Sequence, residues 1–289
     1  MSTRLRATTP EASAVGATGA LAPGAVRVAA LQMASGPRVE PNLREAARLF
    51  EMAAGEGAQL AALPEYFPIM GMHELDKVKV CEAEGRGPIQ DFLAGSAVKH
   101  RMWIVGGSVP LKASVPDKVR NSTLVYDPEG RQAARYDKIH LFGFEMGAES
   151  YLESRTIEAG SEVVVFDTPF ARIGLSICYD LRFPELYRSM KDVDLILVPS
   201  AFTETTGKAH WETLLRARAI ENLAYVLAPA QGGYHVNGRE THGDSMLVDP
   251  WGAIIDRLPR GSGIVTGAID RAHIARLRAC LPALAHRTL

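Results

Sequence analysis

The sequence predicts an α/β fold, on three observations. Apolar runs of strand length alternate with stretches of helical periodicity. Gly and Pro close most of those runs. A strand–turn–strand pattern occurs twice, about 120 residues apart, which points to two similar halves packed as one domain.

The folded part is expected from Val26, where Val26 to Leu31 reads as a buried strand. Pro41-Asn42 then opens a helix, with Asn42 as its cap, Glu45 as capping-box partner, and Leu43, Ala46, Ala47 and Phe50 on one face. Leu60 to Leu63 is a short strand stopped by Pro64. Glu65 therefore falls at a strand's C-terminal end, where α/β folds gather their chemistry. Trp103 to Val105 is a strand ended by Gly106-Gly107. Val163 to Phe166 and Arg172 to Ile177 read as paired strands. Leu195 to Val198 is an apolar run closed by Pro199. His210 to Asn222 reads as a helix and Tyr225 to Leu227 as the next strand. The repeated pattern is Asn121-Ser122-Thr123-Leu124-Val125-Tyr126-Asp127-Pro128-Glu129-Gly130 and Asp244-Ser245-Met246-Leu247-Val248-Asp249-Pro250-Trp251-Gly252, in which Asp-Pro-x-Gly turns one strand into another.

The 289 residues, 47% hydrophobic and 22% charged, suffice for a large core. A net charge of −1 gives no electrostatic reason to expect nucleic acid or an anionic membrane as partner. Three cysteines, an odd number in a chain with so large a core, fit a reducing cytoplasm better than a disulfide scaffold. No apolar run approaches the ~20 residues of a membrane helix. Residues 1–25 read as a disordered tail, or as a targeting peptide given Arg4 and Arg6; residues 26–289 read as a single folded domain.

Cys178 stands between the strand Ala171 to Ile177 and a helical first turn opened by Pro184, so the chain turns there from strand towards helix. Such a turn exposes a side chain and directs backbone N–H groups outward, as in a nucleophile elbow. Taken alone, the cysteine reads equally well as an inert core residue.

Its surroundings decide between the two. Cys178-Tyr179-Asp180-Leu181-Arg182-Phe183-Pro184-Glu185-Leu186 resembles the nucleophile segment of the nitrilase, or carbon–nitrogen hydrolase, superfamily. Leu63-Pro64-Glu65-Tyr66 and Tyr136-Asp137-Lys138-Ile139-His140-Leu141-Phe142 resemble that family's glutamate and lysine segments, in the family's order. The resemblance implies a four-layer α-β-β-α sandwich with two central mixed sheets, and a homodimer or larger assembly. It also implies Cys178 as nucleophile, Glu65 as proton shuttle, and Lys138 with the Tyr179 backbone N–H as holders of the oxyanion. An amide is a poor electrophile and needs those three services together. Glu153 is the best match for the family's second glutamate, which buttresses the lysine and contacts substrate; Glu145 and Glu149 compete for that place. No metal or organic cofactor is expected.

Pro199 to Glu212, Leu214 to Asn222, Ala230-Gln231 and Val248 to Gly252 most resemble the branch that hydrolyses deaminated glutathione to 2-oxoglutarate and cysteinylglycine through a thioester. The sister branch, omega-amidase, takes 2-oxoglutaramate and releases ammonia. Nitrile or N-carbamoyl hydrolysis, and a non-catalytic interaction protein that kept the fold, are more distant alternatives. Any carboxylate-bearing substrate needs a cationic receiver. Arg182 is the candidate, unless it pairs locally with Asp180 or Glu185. Lys208 stands where relatives often have proline, and Asp244 where this branch often has histidine. His210-Trp211 reads as packing at a helix start, and Cys81 and Cys280 as structural.

Overall fold

The structure, a computed structural model, describes residues 21–147 and 149–288. The tail expected over residues 1–25 lies outside that range as far as residue 20.

The first half of the chain runs β1 (Val26–Gln32), α1 (Val39–Gly55), β2 (Leu60–Ala62), α2 (Asp76–Lys79), α3 (Pro88–His100), β3 (Trp103–Val105), β4 (Val109–Lys112), β5 (Val119–Tyr126) and β6 (Gln132–Asp137). A hairpin of β7 (Gly143–Met146) and β8 (Glu149–Leu152) follows. The second half continues with β9 (Val165–Asp167), β10 (Arg172–Leu175), α4 (Pro184–Ser189), β11 (Leu195–Leu197), α5 (Glu204–Asn222) and β12 (Tyr225–Ala228). It closes with β13 (Gly232–Tyr234), β14 (Glu240–His242), β15 (Ser245–Val248), β16 (Ile254–Leu258), β17 (Gly263–Ile269) and α6 (Arg271–Cys280).

These strands form two mixed sheets, ordered β17-β1-β2-β3-β5-β4 with β6 on β5, and β16-β15-β12-β11-β10-β9. Side chains alternate across each strand, so one sheet serves two interfaces. Ala29, Leu31, Ala61 and Ile104 pack outward with Leu49 and Phe50 of α1 and Leu93 and Ala97 of α3. Val28, Ala30, Leu60, Ala62 and Val105 point the other way, into a core shared with Ile173, Leu175, Leu195 and Leu197 of the second sheet. Trp211, Leu215 and Ala219 of α5, with Leu186 and Tyr187 of α4, complete that core and form the fourth layer. The result is the α-β-β-α sandwich.

The two halves repeat one topology. Along β17-β1-β2-β3-β5-β6 the pairings run antiparallel, parallel, parallel, antiparallel, antiparallel. Along β9-β10-β11-β12-β15-β16 they run the same way. Even the β-bulge recurs, between Val125 and Tyr126 in one sheet and Leu247 and Val248 in the other. In each Asp-Pro-x-Gly turn the aspartate Oδ1 accepts two backbone N–H bonds, from Glu129 and Arg131 in one and from Trp251 and Ala253 in the other.

Three local expectations need correction. Helix α1 begins at Val39, and Asn42 is no cap: its buried amide bonds the backbone of Gly36 and Pro68 and ties the helix to two loops. Glu45 correspondingly pairs with Arg48. Helix α5 begins at Glu204, because Thr203 caps it by accepting from the Thr206 N–H, so His210 lies inside the helix rather than at its start. Cys280 is exposed at the end of α6 and Cys81 is half-buried, so neither is a core cysteine.

Candidate active site

Three chain segments converge where the strand ends of the two sheets meet. Beyond β2, Pro64 stops the strand and Glu65 turns inward. The Glu65 carbonyl accepts from Gln231 Nε2 at 3.0 Å, and the next N–H, that of Tyr66, donates to Ser108 Oγ at 2.9 Å. Gly107, at φ +53°, packs against this turn so closely that a Cβ there would come within 2.1 Å of the Pro64 carbonyl oxygen. Beyond β6, the backbone of Lys138 bonds Asn121 and Gly160, which aims the side chain at Glu65. Beyond β10, Cys178 adopts φ +50°, a left-handed conformation costing a non-glycine residue roughly 1–2 kcal/mol. A Cys178 N–H bond to the Pro199 carbonyl (2.9 Å) and the Asp180 side chain hold it there.

Asp180 is fully buried and joins the cysteine turn to the lysine segment. Its Oδ2 accepts from the Ile177 N–H (2.8 Å) and the Tyr136 hydroxyl (2.7 Å). Its Oδ1 accepts from the His140 N–H (3.0 Å) and lies 2.7 Å from His140 Nδ1. The His140 ring stacks on Phe183 at 3.7 Å between centroids.

The charges at the centre are desolvated. The Lys138 and Glu65 side chains are 0% and 1% exposed. Lys138 Nζ donates to Glu65 Oε1 and Glu153 Oε2, both at 2.8 Å. Glu65 also accepts from Asn121 Nδ2 on Oε1 (2.9 Å) and from the Ala201 N–H on Oε2 (3.0 Å). Glu153 accepts from the Tyr66 hydroxyl at 2.6 Å and from the Phe142 N–H at 2.7 Å.

Two carboxylates share one ammonium, and their environments push them apart. Burial raises the Glu65 carboxyl above its ordinary range against the pull of Lys138. Glu153 is also penalised by burial, but Lys138, Tyr66 and the Phe142 N–H outweigh that and hold it low. Burial alone would lower Lys138; Glu153 and Glu65 outweigh it and keep the ammonium charged. Burial, then the Glu65 charge, raises the Cys178 thiol well above its usual value, so the resting sulfur keeps its proton. Cys178 and Glu65 line the same pocket, and Glu65 is the carboxylate whose charge acts most strongly on the thiol, which suits it to take the proton. The Tyr179 N–H sits in the first turn of the short 3₁₀ helix Cys178–Arg182, before any intrahelical acceptor.

The pocket over the sulfur is lined by Phe142, Tyr179, Phe202 and Thr206, with Arg182 and Arg239 beside Cys178, Glu65 and Glu153. Arg182 does not pair with Asp180 or Glu185. Its guanidinium lies over the Tyr179 and Phe202 rings and meets His210 Nδ1 at 3.2 Å. Asp244, the departure noted in the sequence, pairs with Arg257 away from this pocket. Thus Glu65, Lys138, Glu153, Cys178, Tyr179 and Arg182 meet at one place. Asn121, Tyr66, Asp180 and Arg239 belong there too and escaped sequence reasoning.

Known proteins resemble this chain along most of its length. Residues 27–279 match the family model described as carbon–nitrogen hydrolase. A deaminated glutathione amidase of Synechocystis is 41% identical over 90% of this chain and 97% of its own length. The omega-amidase NIT2 of Xenopus tropicalis is 33% identical over 89% of this chain and 92% of its own. The crystal structure of the Caenorhabditis elegans NitFhit protein superposes with a TM-score of 0.83 at 37% identity; the match covers 92% of this chain and 65% of that one.

Proposed function

The chain belongs to the carbon–nitrogen hydrolase family, and we propose that it hydrolyses the peptide-like amide of deaminated glutathione through Glu65, Lys138 and Cys178. One observation carries this assignment: residues from the strand ends of two different sheets place a thiol, a carboxyl of raised pKa and a caged ammonium around one pocket. As the Cys178 sulfur attacks the carbonyl carbon, Glu65 takes its proton. The carbonyl oxygen becomes an oxyanion, held by the Tyr179 N–H and by Lys138, which gives up the longest of its three carboxylate contacts, Glu153 Oε1 at 3.1 Å, to reach it. Collapse breaks the C–N bond, and Glu65 hands the proton to the departing amine. Water then attacks the thioester, Glu65 takes its proton, and the C–S bond breaks to give the carboxylic acid and the free thiol. Glu153 keeps Lys138 charged and aimed throughout.

The relatives named deaminated glutathione amidase, at 41% identity, support this substrate over the omega-amidase substrate of the 33% relative. Arg182, rigidly stacked beside Cys178, is the receiver for the 2-oxo acid carboxylate. We further assign the enzyme to the cytoplasm, on its free cysteines, and to a homodimer or larger assembly, supported by the exposed apolar side chains Ile220 and Trp251. Rates on deaminated glutathione, 2-oxoglutaramate, a nitrile and a carbamoyl amino acid test the assignment. A higher kcat/KM on 2-oxoglutaramate than on deaminated glutathione would move the protein to the sister activity. Sedimentation as a monomer at micromolar concentration would remove the dimer.

A further inference from the structure

Arg239 lines the same pocket and has no role in the chemistry above. It follows the tip of the β13–β14 hairpin, just before β14. Asn237 accepts from the Arg239 N–H and donates its amide to the Gly71 carbonyl at 2.7 Å, pinning the hairpin to the loop that follows Glu65. Buried His235 fastens the base, with Nδ1 2.9 Å from the Ser35 carbonyl and Nε2 2.7 Å from Thr241 Oγ1. The guanidinium is thus held in place, yet its contacts are soft: the Tyr151 ring at 4.9 Å and Met70 Sδ at 3.8 Å.

Among the described residues Arg239 has no carboxylate partner, because those nearby are committed elsewhere. Glu153 is engaged by Lys138 and Tyr66, Glu74 by Lys77, and Glu240 by Arg260. A half-buried guanidinium without a counterion is an anion receiver in waiting. Lys138 is already assigned to the oxyanion and is shared by two glutamates, so a substrate carboxylate needs another cation. Position separates the two arginines that remain. Arg182 is on the cysteine's own turn, whereas Arg239 leans on the loop after Glu65. Glu65 protonates the departing amine, so the leaving group sits on its side. Past Arg239 the pocket adjoins a second, narrow recess lined by Tyr66, Met70, His73 and Lys77.

We infer that Arg239 is a specificity-determining residue that receives the carboxylate of the leaving group, selecting amides whose amine part ends in a free acid. The inference rests on the substrate assignment above and names the part of the substrate that Arg239 reads. A charged hydrogen-bonded pair of this kind corresponds to about a 10- to 100-fold preference.

The test compares kcat/KM on deaminated glutathione and on the same compound capped as its C-terminal glycinamide. The parent is expected to prefer the free acid by about 10- to 100-fold, and Arg239→Gln to bring the ratio near one, chiefly through KM. Arg239→Lys should recover part of the preference. Arg182→Gln should depress both rates and leave the ratio standing. A parent ratio near one, or an Arg239→Gln variant that keeps the parent ratio, overturns the inference. If the parent turns over neither compound, the substrate assignment fails and a separate measurement decides Arg239: protection of Cys178 from iodoacetamide by alanylglycine against alanylglycinamide. Stronger protection by the acid, lost in Arg239→Gln, upholds the residue's role; equal or absent protection rejects it.

Discussion

The two sheets share one topology and differ in what their strand ends carry. Counted from equivalent paired residues, Glu65 corresponds to Ser200, Lys138 to Arg260 and Cys178 to Met33. Lys138 and Arg260 each stand between two glutamates: Glu65 and Glu153 in one case, Glu204 and Glu240 in the other. The Lys138 side chain is 0% exposed and that of Arg260 is 44% exposed. The same arrangement of charges is therefore a partly exposed cluster in one half, where Glu204 is lowered and Arg260 raised, and a desolvated one in the other, where burial instead raises Glu65. Burial, more than charge pairing, separates a reactive site from a structural ion pair.

The largest effect should come from the nucleophile. Cys178→Ala is expected to cut turnover by on the order of 10⁴-fold or more while leaving the thermal midpoint near the parent value. Met33→Leu, at the equivalent buried place, should keep turnover within about threefold and cost less than ~1.5 kcal/mol of stability. Residual activity within tenfold of the parent in Cys178→Ala would reject Cys178 as the nucleophile. Next comes Lys138→Met, which leaves two buried carboxylates facing each other. It should lose about 3–5 kcal/mol in denaturant titration and at least ~10²-fold in turnover.

Much of this was legible in the sequence, for a physical reason. Glu65 and Cys178 follow apolar runs that can only be buried strands, and Pro64 and Pro184 mark where those runs must turn. The repeated Asp-Pro-x-Gly turn reported the duplication because its hydrogen bonds are local. The hidden parts depend on distant chain. Asn121 reaches Glu65 across two strands, Arg239 arrives on a hairpin from the other half, and Asp180 acts through Tyr136 and His140. No window of adjacent residues records such meetings. The cap of α5 was missed for a different reason: Thr203 precedes a polar first turn with no apolar periodicity to announce it.

Glu65→Gln sharpens the comparison by separating chemistry from stability. Turnover should fall by about 10²- to 10⁴-fold with the loss of the proton carrier. Stability should not fall with it. The folded Glu65 pKa is raised, so its contribution is fully present below the unfolded value near 4.5 and is lost as pH rises through the folded value. The glutamine variant should therefore match or exceed the parent's thermal midpoint at pH 8. A midpoint at pH 8 well below the parent's would show that ionised Glu65 stabilises the fold. The same raised pKa sets the acid limb of kcat/KM. Glu65 must be ionised to accept the thiol proton, so the rate should fall with decreasing pH at a point above 4.5. A limb at or below that value would remove the desolvation on which the proton transfer depends.

The smallest effect belongs to Arg260, and it is the sharpest control. Arg260→Ala removes a cation from between two glutamates, as Lys138→Met does, but water takes its place. Solvent and salt screen the carboxylates left behind, so neither acquires the uncompensated charge that makes Lys138 indispensable. Thermal midpoint and turnover should both stay within measurement error of the parent at moderate ionic strength. A loss approaching that of Lys138→Met would show that the surface cluster also supports the fold or the reaction. Pairing itself, rather than desolvation, would then distinguish the two halves.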